Sequence, residues 1–158
     1  MKSKILIILA LLALSLTLLG CNEPSSSNPF QKVEGNSICK EDGKPIIRMF
    51  STTWCPHCEW IRPTFDAVVK EYVDQNKIIA YHWQVDTQDN TLTDVIEQSI
   101  PDNEMAVYTQ FNPKGSIPTF VFGCKYYRIG NGFESQQDLN AERVEIEKVI
   151  DQVIAENQ

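Results

Sequence analysis

The stretch "KPIIRMFSTTWCPHCEWIRPTFDAVVKEY" at residues 44–72 changes its repeat midway. Its opening "KPIIRMF" is a short apolar run after Gly43, which predicts a buried strand. From Pro56 the period becomes helical. Ile61, Phe65, Val68, Val69 and Tyr72 share one face, and Glu59, Arg62, Asp66, Lys70 and Asp74 take the other. Pro63 falls inside that helix and predicts a kink. A strand that runs straight into a helix, with two cysteines at the junction, limits both the layering of the fold and the chemistry it can carry.

The rest of the chain fits a mixed α/β sheet. "KIIAYHWQVD" (77–86) predicts a second strand, with Ile79, Tyr81, Trp83 and Val85 along one face. Joined to the first through a helix, it should lie parallel to it by a right-handed crossover. Short helices are expected around 91–99 and 103–111. "IPTFVFG" (117–123) and "KYYRIG" (125–130) predict an antiparallel hairpin turning at Gly123. Ser135 with Asp138 has capping-box spacing, ahead of a final amphipathic helix marked by Leu139, Ile146, Val149, Ile150 and Val153. The expected order is strand, helix, strand, helical segment, hairpin, helix.

Cys55 stands where the first helix begins, and there free N–H groups and the dipole favour a thiolate. Pro56 suits the first helical position because its missing N–H is not needed there. Cys58 follows one turn on, within reach of the Cys55 sulfur. Lowering a thiol pKa from about 8.5 into the range near 3.5–7 takes roughly 2–7 kcal/mol. The dipole supplies at most about 2 kcal/mol, so hydrogen bonds and nearby positive charge must add the rest. His57 is the local candidate. Three readings stay open for the pair: a redox couple, half of a zinc site, or a structural staple. Zinc needs a second ligand pair of similar spacing, and Cys39, Cys124, His57 and His82 do not form one.

The N-terminus has a different character. Lys2 and Lys4 precede the apolar run "ILIILALLALSLTLLG", which reads as a secretory signal over residues 1–20, with an uncleaved anchor as the alternative. "LLGC" at 18–21 resembles the lipobox of bacterial lipoproteins, which implies cleavage before Cys21 and lipid on that residue. Residues 21–37, with the polar stretch "NEPSSSNPFQ", predict a flexible tether, and 38–158 the folded domain. The expected location is the extracytoplasmic face of a membrane, in the periplasm or at the cell surface. Removing Lys2 and Lys4 takes the net charge from −7 to −7 − 2 = −9. With no basic cluster, the chain is not expected to bind nucleic acid. Setting Cys21 aside leaves four cysteines, an even number for an exported chain.

From about Gly43 to Ala155 the chain resembles the thioredoxin superfamily. The resemblance rests on "WCPHC" at 54–58, Pro63 five positions after Cys58, and "SIPTFVFG" at 116–123. It implies a thiol–disulfide oxidoreductase in which Cys55 attacks and Cys58 resolves, tuned by Pro56, His57 and Trp54. Pro118 would be cis and, with Ile117, would line a groove for a substrate strand; Trp54 would pack beside the site or serve as a core aromatic. No metal or organic cofactor is implied. Partners would be protein thiols and disulfides and a membrane or soluble recycling protein. Pro-His between the cysteines resembles the periplasmic disulfide oxidases, whereas Ile before the proline resembles thioredoxin. The family often places a buried Asp or Glu six residues before the first cysteine. That position is Met49 here, and alternation puts neighbouring Arg48 on the opposite face, so resolution by Cys58 relies on water or another acid. The fold so implied brings Cys39 beside Cys124 as a structural disulfide, with two free buried thiols as the alternative. Two other functions remain open: a non-catalytic peptide-binding module and a soft-metal chaperone.

Overall fold

A computed structural model of the chain describes residues 25–158; the expected signal sequence and Cys21 lie outside the described residues. The sheet is built around β3 (Lys44–Ser51), of whose eight positions only Lys44 is not buried. Burial on both faces is why this strand reads as a continuous apolar run rather than an alternating one. β4 (Ile79–Gln84) lies parallel to β3 after the helix α1 (Pro56–Asp74), with Ile46 opposite Ile79 and Ser51 opposite Gln84. On the other side β6 (Thr119–Phe122) runs antiparallel to β3, and β7 (Tyr126–Ile129) antiparallel to β6. Short strands β1 (Gln31–Lys32) and β5 (Asp89–Asn90) finish the two edges, giving the order β1-β7-β6-β3-β4-β5. β2 (Lys40–Glu41) forms a hairpin with the start of β3, turning at Asp42 and Gly43, both at positive φ as a two-residue hairpin requires.

Two apolar layers flank the sheet. One, under α1 and α3 (Leu139–Glu156), holds Met49, Ile61, Phe65, Phe120, Phe122 and Ile150 with both Cys55 and Cys58. The other, on the side of α2 (Asp102–Phe111), holds Phe50, Trp83, Tyr108, Phe111 and Val121. Strand alternation sends Arg48 to the second side, where a buried carboxylate meets it. Its Nε and Nη2 each donate to Glu104 at 2.7 Å, and Trp83 Nε1 donates to the same carboxylate at 3.1 Å.

Three expectations need correction. Residues 91–99 form no helix: Glu97 N donates to Asp89 Oδ1 at 2.8 Å and Glu97 Oε2 accepts from Asn90 N at 3.1 Å. These side-chain bonds satisfy the backbone in a loop, and Val95 and Ile96 are left exposed. Ser135 is not the cap of the last helix. It lies in a 3-10 turn (Glu134–Gln136), and Asp138 itself caps α3 by accepting from Ala141 N at 2.9 Å.

The third concerns the tether, because the chain from Ser26 to Val33 is docked. Ser27 Oγ donates to Gly132 O at 2.7 Å and Asn28 Nδ2 to Ile129 O at 2.7 Å; Gln31 and Lys32 then pair with β7. Phe30 supplies the apolar contact that the composition hides. Its ring lies 4.8 Å from that of Phe122 and 4.4 Å from the Arg128 guanidinium. Arg128 is itself buried and bonded to Glu142 and Glu145.

Candidate active site

Cys55 is the N-cap residue of α1, in extended conformation, and is almost wholly buried. Its Sγ accepts the backbone N–H of Cys58 at 3.3 Å, so the sulfur takes the place a capping oxygen occupies elsewhere. Pro56 follows at the start of the helix, and Glu59 N closes the first turn on Cys55 O at 3.0 Å. Both cysteines are free thiols. Cys58 has no exposed surface. Burial, with the Cys55 side chain next, pushes its thiol up to about 12, against the Thr52 backbone and the Arg62 charge, which pull it down. The pair is therefore asymmetric: one sulfur at a helix terminus with a backbone donor, the other held as the neutral thiol.

His57 projects outward and is held from across the fold. Its Nδ1 is 2.7 Å from Glu134 Oε1, while Asn131 Nδ2 donates to His57 O at 2.9 Å and to Glu134 Oε2 at 2.8 Å. Glu134 and Asn131 stand 77 and 74 residues away in sequence, so no local pattern points to them. Trp54 is 72% exposed, so it is not the core aromatic that stood as the alternative to a place beside the site. Before it, Thr53 N donates to both carboxylate oxygens of Asp86 at 3.1 Å, and the Thr53 hydroxyl donates to Oδ2. Burial pushes the Asp86 carboxyl up, but the Thr53 donors together with the backbone N–H groups of Asp86 and Thr87 hold it below its usual range.

The Ile117–Pro118 bond is cis. Thr119 pairs with Phe50, so Pro118 lies level with the end of β3 from which the chain runs to Cys55. Ile117 packs against the cluster that contains both site cysteines. The loop is fixed from α2's end: Asn112 Nδ2 donates to Thr119 Oγ1 at 2.8 Å, and Thr119 Oγ1 donates to Ser116 O at 2.8 Å. Met49 is buried beneath the pair and brings no ionisable group there.

Cys39 and Cys124 are bonded, with Cα atoms 5.3 Å apart. Cys39 N donates to Gly123 O at 2.9 Å and Gly123 N to Ile46 O at 2.8 Å, which sets this bridge at the start of β3, the opposite end from Cys55. Gly123 is required there: its φ is +59°, and a Cβ would come within 2.6 Å of Val153 Cγ1. Among the described residues no three His, Cys, Asp or Glu side chains converge as a metal-binding group.

A protein-family model described as Thioredoxin matches residues 29–124. The match takes in Phe30 and β1, and so begins ahead of the boundary at 38 expected from composition.

Proposed function

The chain belongs to the thioredoxin family, and from that membership we propose that it is a thiol–disulfide oxidoreductase acting on protein cysteines through Cys55 and Cys58. The observation that carries this is the free thiol pair at the start of α1, with Cys55 Sγ bonded to the Cys58 N–H and Cys58 buried one turn below.

In reduction, the Cys55 thiolate attacks one sulfur of a substrate disulfide. A Cys55–substrate bond forms, the substrate bond breaks, and the electron pair leaves on the second substrate sulfur. Cys58 then attacks Cys55 Sγ, which closes the Cys55–Cys58 disulfide and frees the first substrate sulfur. In oxidation the same steps run backward. The Cys58 backbone N–H donates to Cys55 Sγ, so the sulfur that attacks and later leaves has a hydrogen-bond donor already aimed at it. Trp54, exposed beside Cys55, gives an incoming chain an aromatic surface, and Ile117 and Pro118 line the groove in which a substrate strand would pair.

The protein is further read as lipid-anchored at Cys21 on the extracytoplasmic side, recycled by a membrane or soluble redox partner. The lipobox-like "LLGC" supports this, together with an even number of remaining cysteines, two of them already bridged.

Two variants test the chemistry. Cys55→Ser is expected to abolish both insulin reduction and oxidation of a dithiol peptide, whereas Cys58→Ser should accumulate a Cys55-linked mixed disulfide visible on a non-reducing gel. Full turnover by Cys55→Ser would overturn the assignment. Uptake of one Cu(I) per chain, lost in Cys55→Ser, without any exchange activity in the wild type, would favour a metal carrier. The potential of the couple fixes direction: a value near about −120 mV marks an oxidant, and one near about −270 mV a reductant.

A further inference from the structure

On the face of the sheet covered by α1 lies a chain of polar side chains that the exchange chemistry does not use. Ser51 Oγ is 2.8 Å from His82 Nε2, and His82 Nδ1 is 2.7 Å from Asp66 Oδ1. Ser51 and His82 have no exposed surface, whereas the Asp66 side chain is 28% exposed and lines a surface cavity between α1 and the β4–β5 edge. An ionised carboxylate only accepts, so Nδ1 carries the ring proton toward Asp66. Nε2 of the neutral ring is then the acceptor for the Ser51 hydroxyl.

Ser51 precedes Thr52, whose backbone draws the Cys58 thiol pKa down against the larger effect of burial. Alternation puts Ser51 on the same face of β3 as Met49, which shares a cluster with Cys58. Other groups surround the imidazole. Phe65 on α1 meets it edge-on, Asn90 Oδ1 on β5 accepts the His82 backbone N–H at 3.0 Å, and Glu97 is bonded to the Asn90 amide. Arg62, one turn before Asp66 on α1, has buried Nε and Nη2 without a hydrogen-bond partner and acts on Cys58 by its charge. Lys70 lines the same cavity as Asp66.

We propose that Ser51, His82 and Asp66 are the proton route of Cys58, doing from the side what a carboxylic acid at Met49 would do from below. The proposal rests on the exchange reading above. The thiolate is the attacking form, and Cys58 is held as the neutral thiol, so its attack on the mixed disulfide needs an acceptor within the buried layer. Cys58 gives its proton through one water to Ser51 Oγ, as the Ser51 hydroxyl proton moves to His82 Nε2. The thiolate then attacks Cys55 Sγ; the Cys55–Cys58 bond forms, the Cys55–substrate bond breaks, and the electron pair leaves on the substrate sulfur, which takes a proton from solvent. Asp66 balances the imidazolium, and its exposed edge lets the extra proton leave to water. Ser51, His82 and Asp66 are thus positioning residues that act through Cys58.

The test uses the reduced full chain with 5,5′-dithiobis(2-nitrobenzoate), which releases one thionitrobenzoate when Cys55 attacks and a second when Cys58 resolves. Ser51→Ala, which removes one oxygen, and His82→Gln are expected to slow the second release at least about 10-fold below pH 8, the scale of general-base catalysis. The first release should keep its rate. The deficit should close as pH rises, because hydroxide then ionises Cys58 directly, and Asp66→Asn should move the midpoint of the profile. A purely structural role would alter melting temperature, not this pH dependence. If folded Ser51→Ala keeps the wild-type rate and profile of the second release, the route is wrong while the redox couple stands. If the wild type releases no second equivalent, the couple itself falls and the route with it.

Discussion

Cys58 is the residue whose environment has the most measurable consequence. Burial raises its thiol pKa from 9.0 to about 12 in the folded, reduced protein. The folded value lies above the unfolded one, so this group's contribution is fully present below about pH 9 and lost as pH rises toward 12. Reduced protein should therefore lose stability above pH 9 by up to about 1.4 kcal/mol per pH unit more than Cys58→Ala. Urea unfolding at pH 8 and pH 10 under anaerobic conditions measures this, and parallel curves for the two proteins would show that the site is not as dry as its burial implies. The placement of this residue is legible in sequence because Cys55, Pro56 and Cys58 fall within one helical turn, where spacing alone fixes geometry. Glu134 under His57, and the Ser51–His82–Asp66 chain, are not legible. Their contacts join residues 16 to 77 positions apart, and a mid-strand histidine carries no local signal of what lies across the sheet.

At the level of elements, one buried ion pair fastens α2 to the sheet. Glu104 receives both Arg48 nitrogens and the Trp83 indole, and it and Arg48 are each 3% exposed. Glu104→Gln leaves the guanidinium buried without its counter-charge, and such a loss costs about 3–5 kcal/mol. Because α2 also carries Asn112's neighbour Phe111 and leads into the Ser116–Thr119 loop, exchange activity should fall along with stability. Chemical denaturation and turnover of Glu104→Gln check both, and Arg48→Met/Glu104→Leu should recover most of the stability, since a packed apolar pair replaces the ions at little cost. β3, α1, β4, the β6–β7 hairpin and α3 follow from periodicity because each buries a regular stripe or face. The loop at 91–100 does not. Its apolar residues Val95 and Ile96 find no layer to pack against, and Asp89 and Glu97 bond the backbone in place of a helix.

For the whole molecule, the position of the N-terminal segment decides how the site meets its surroundings. Composition reads residues 21–37 as a free linker because Ser, Pro and Asn outweigh a single phenylalanine, and no count of polar residues shows that Phe30 lies against Phe122 and Arg128. The docking places Ser27 and Asn28 on Gly132 and Ile129, next to Asn131, whose side chain donates to His57 O. The chain therefore enters the domain at the active-site end, while the Cys39–Cys124 bridge closes the other end. With the lipid proposed at Cys21, only residues 22–25 separate the anchor from Ser26. At about 3.5 Å per residue this leaves a reach under about 18 Å, which would hold Cys55 close to the bilayer and face it toward membrane-embedded partners. Cys21→Ser should move the protein from the membrane fraction to the soluble one. Inserting a 20-residue Gly/Ser spacer after Pro24 should leave it in the membrane fraction but raise the alkylation rate of Cys55 by a 5-kDa PEG-maleimide, with no change toward N-ethylmaleimide. Equal rates for the large reagent with and without the spacer would mean that the site already stands clear of the membrane, and that the short reach does not select the partner.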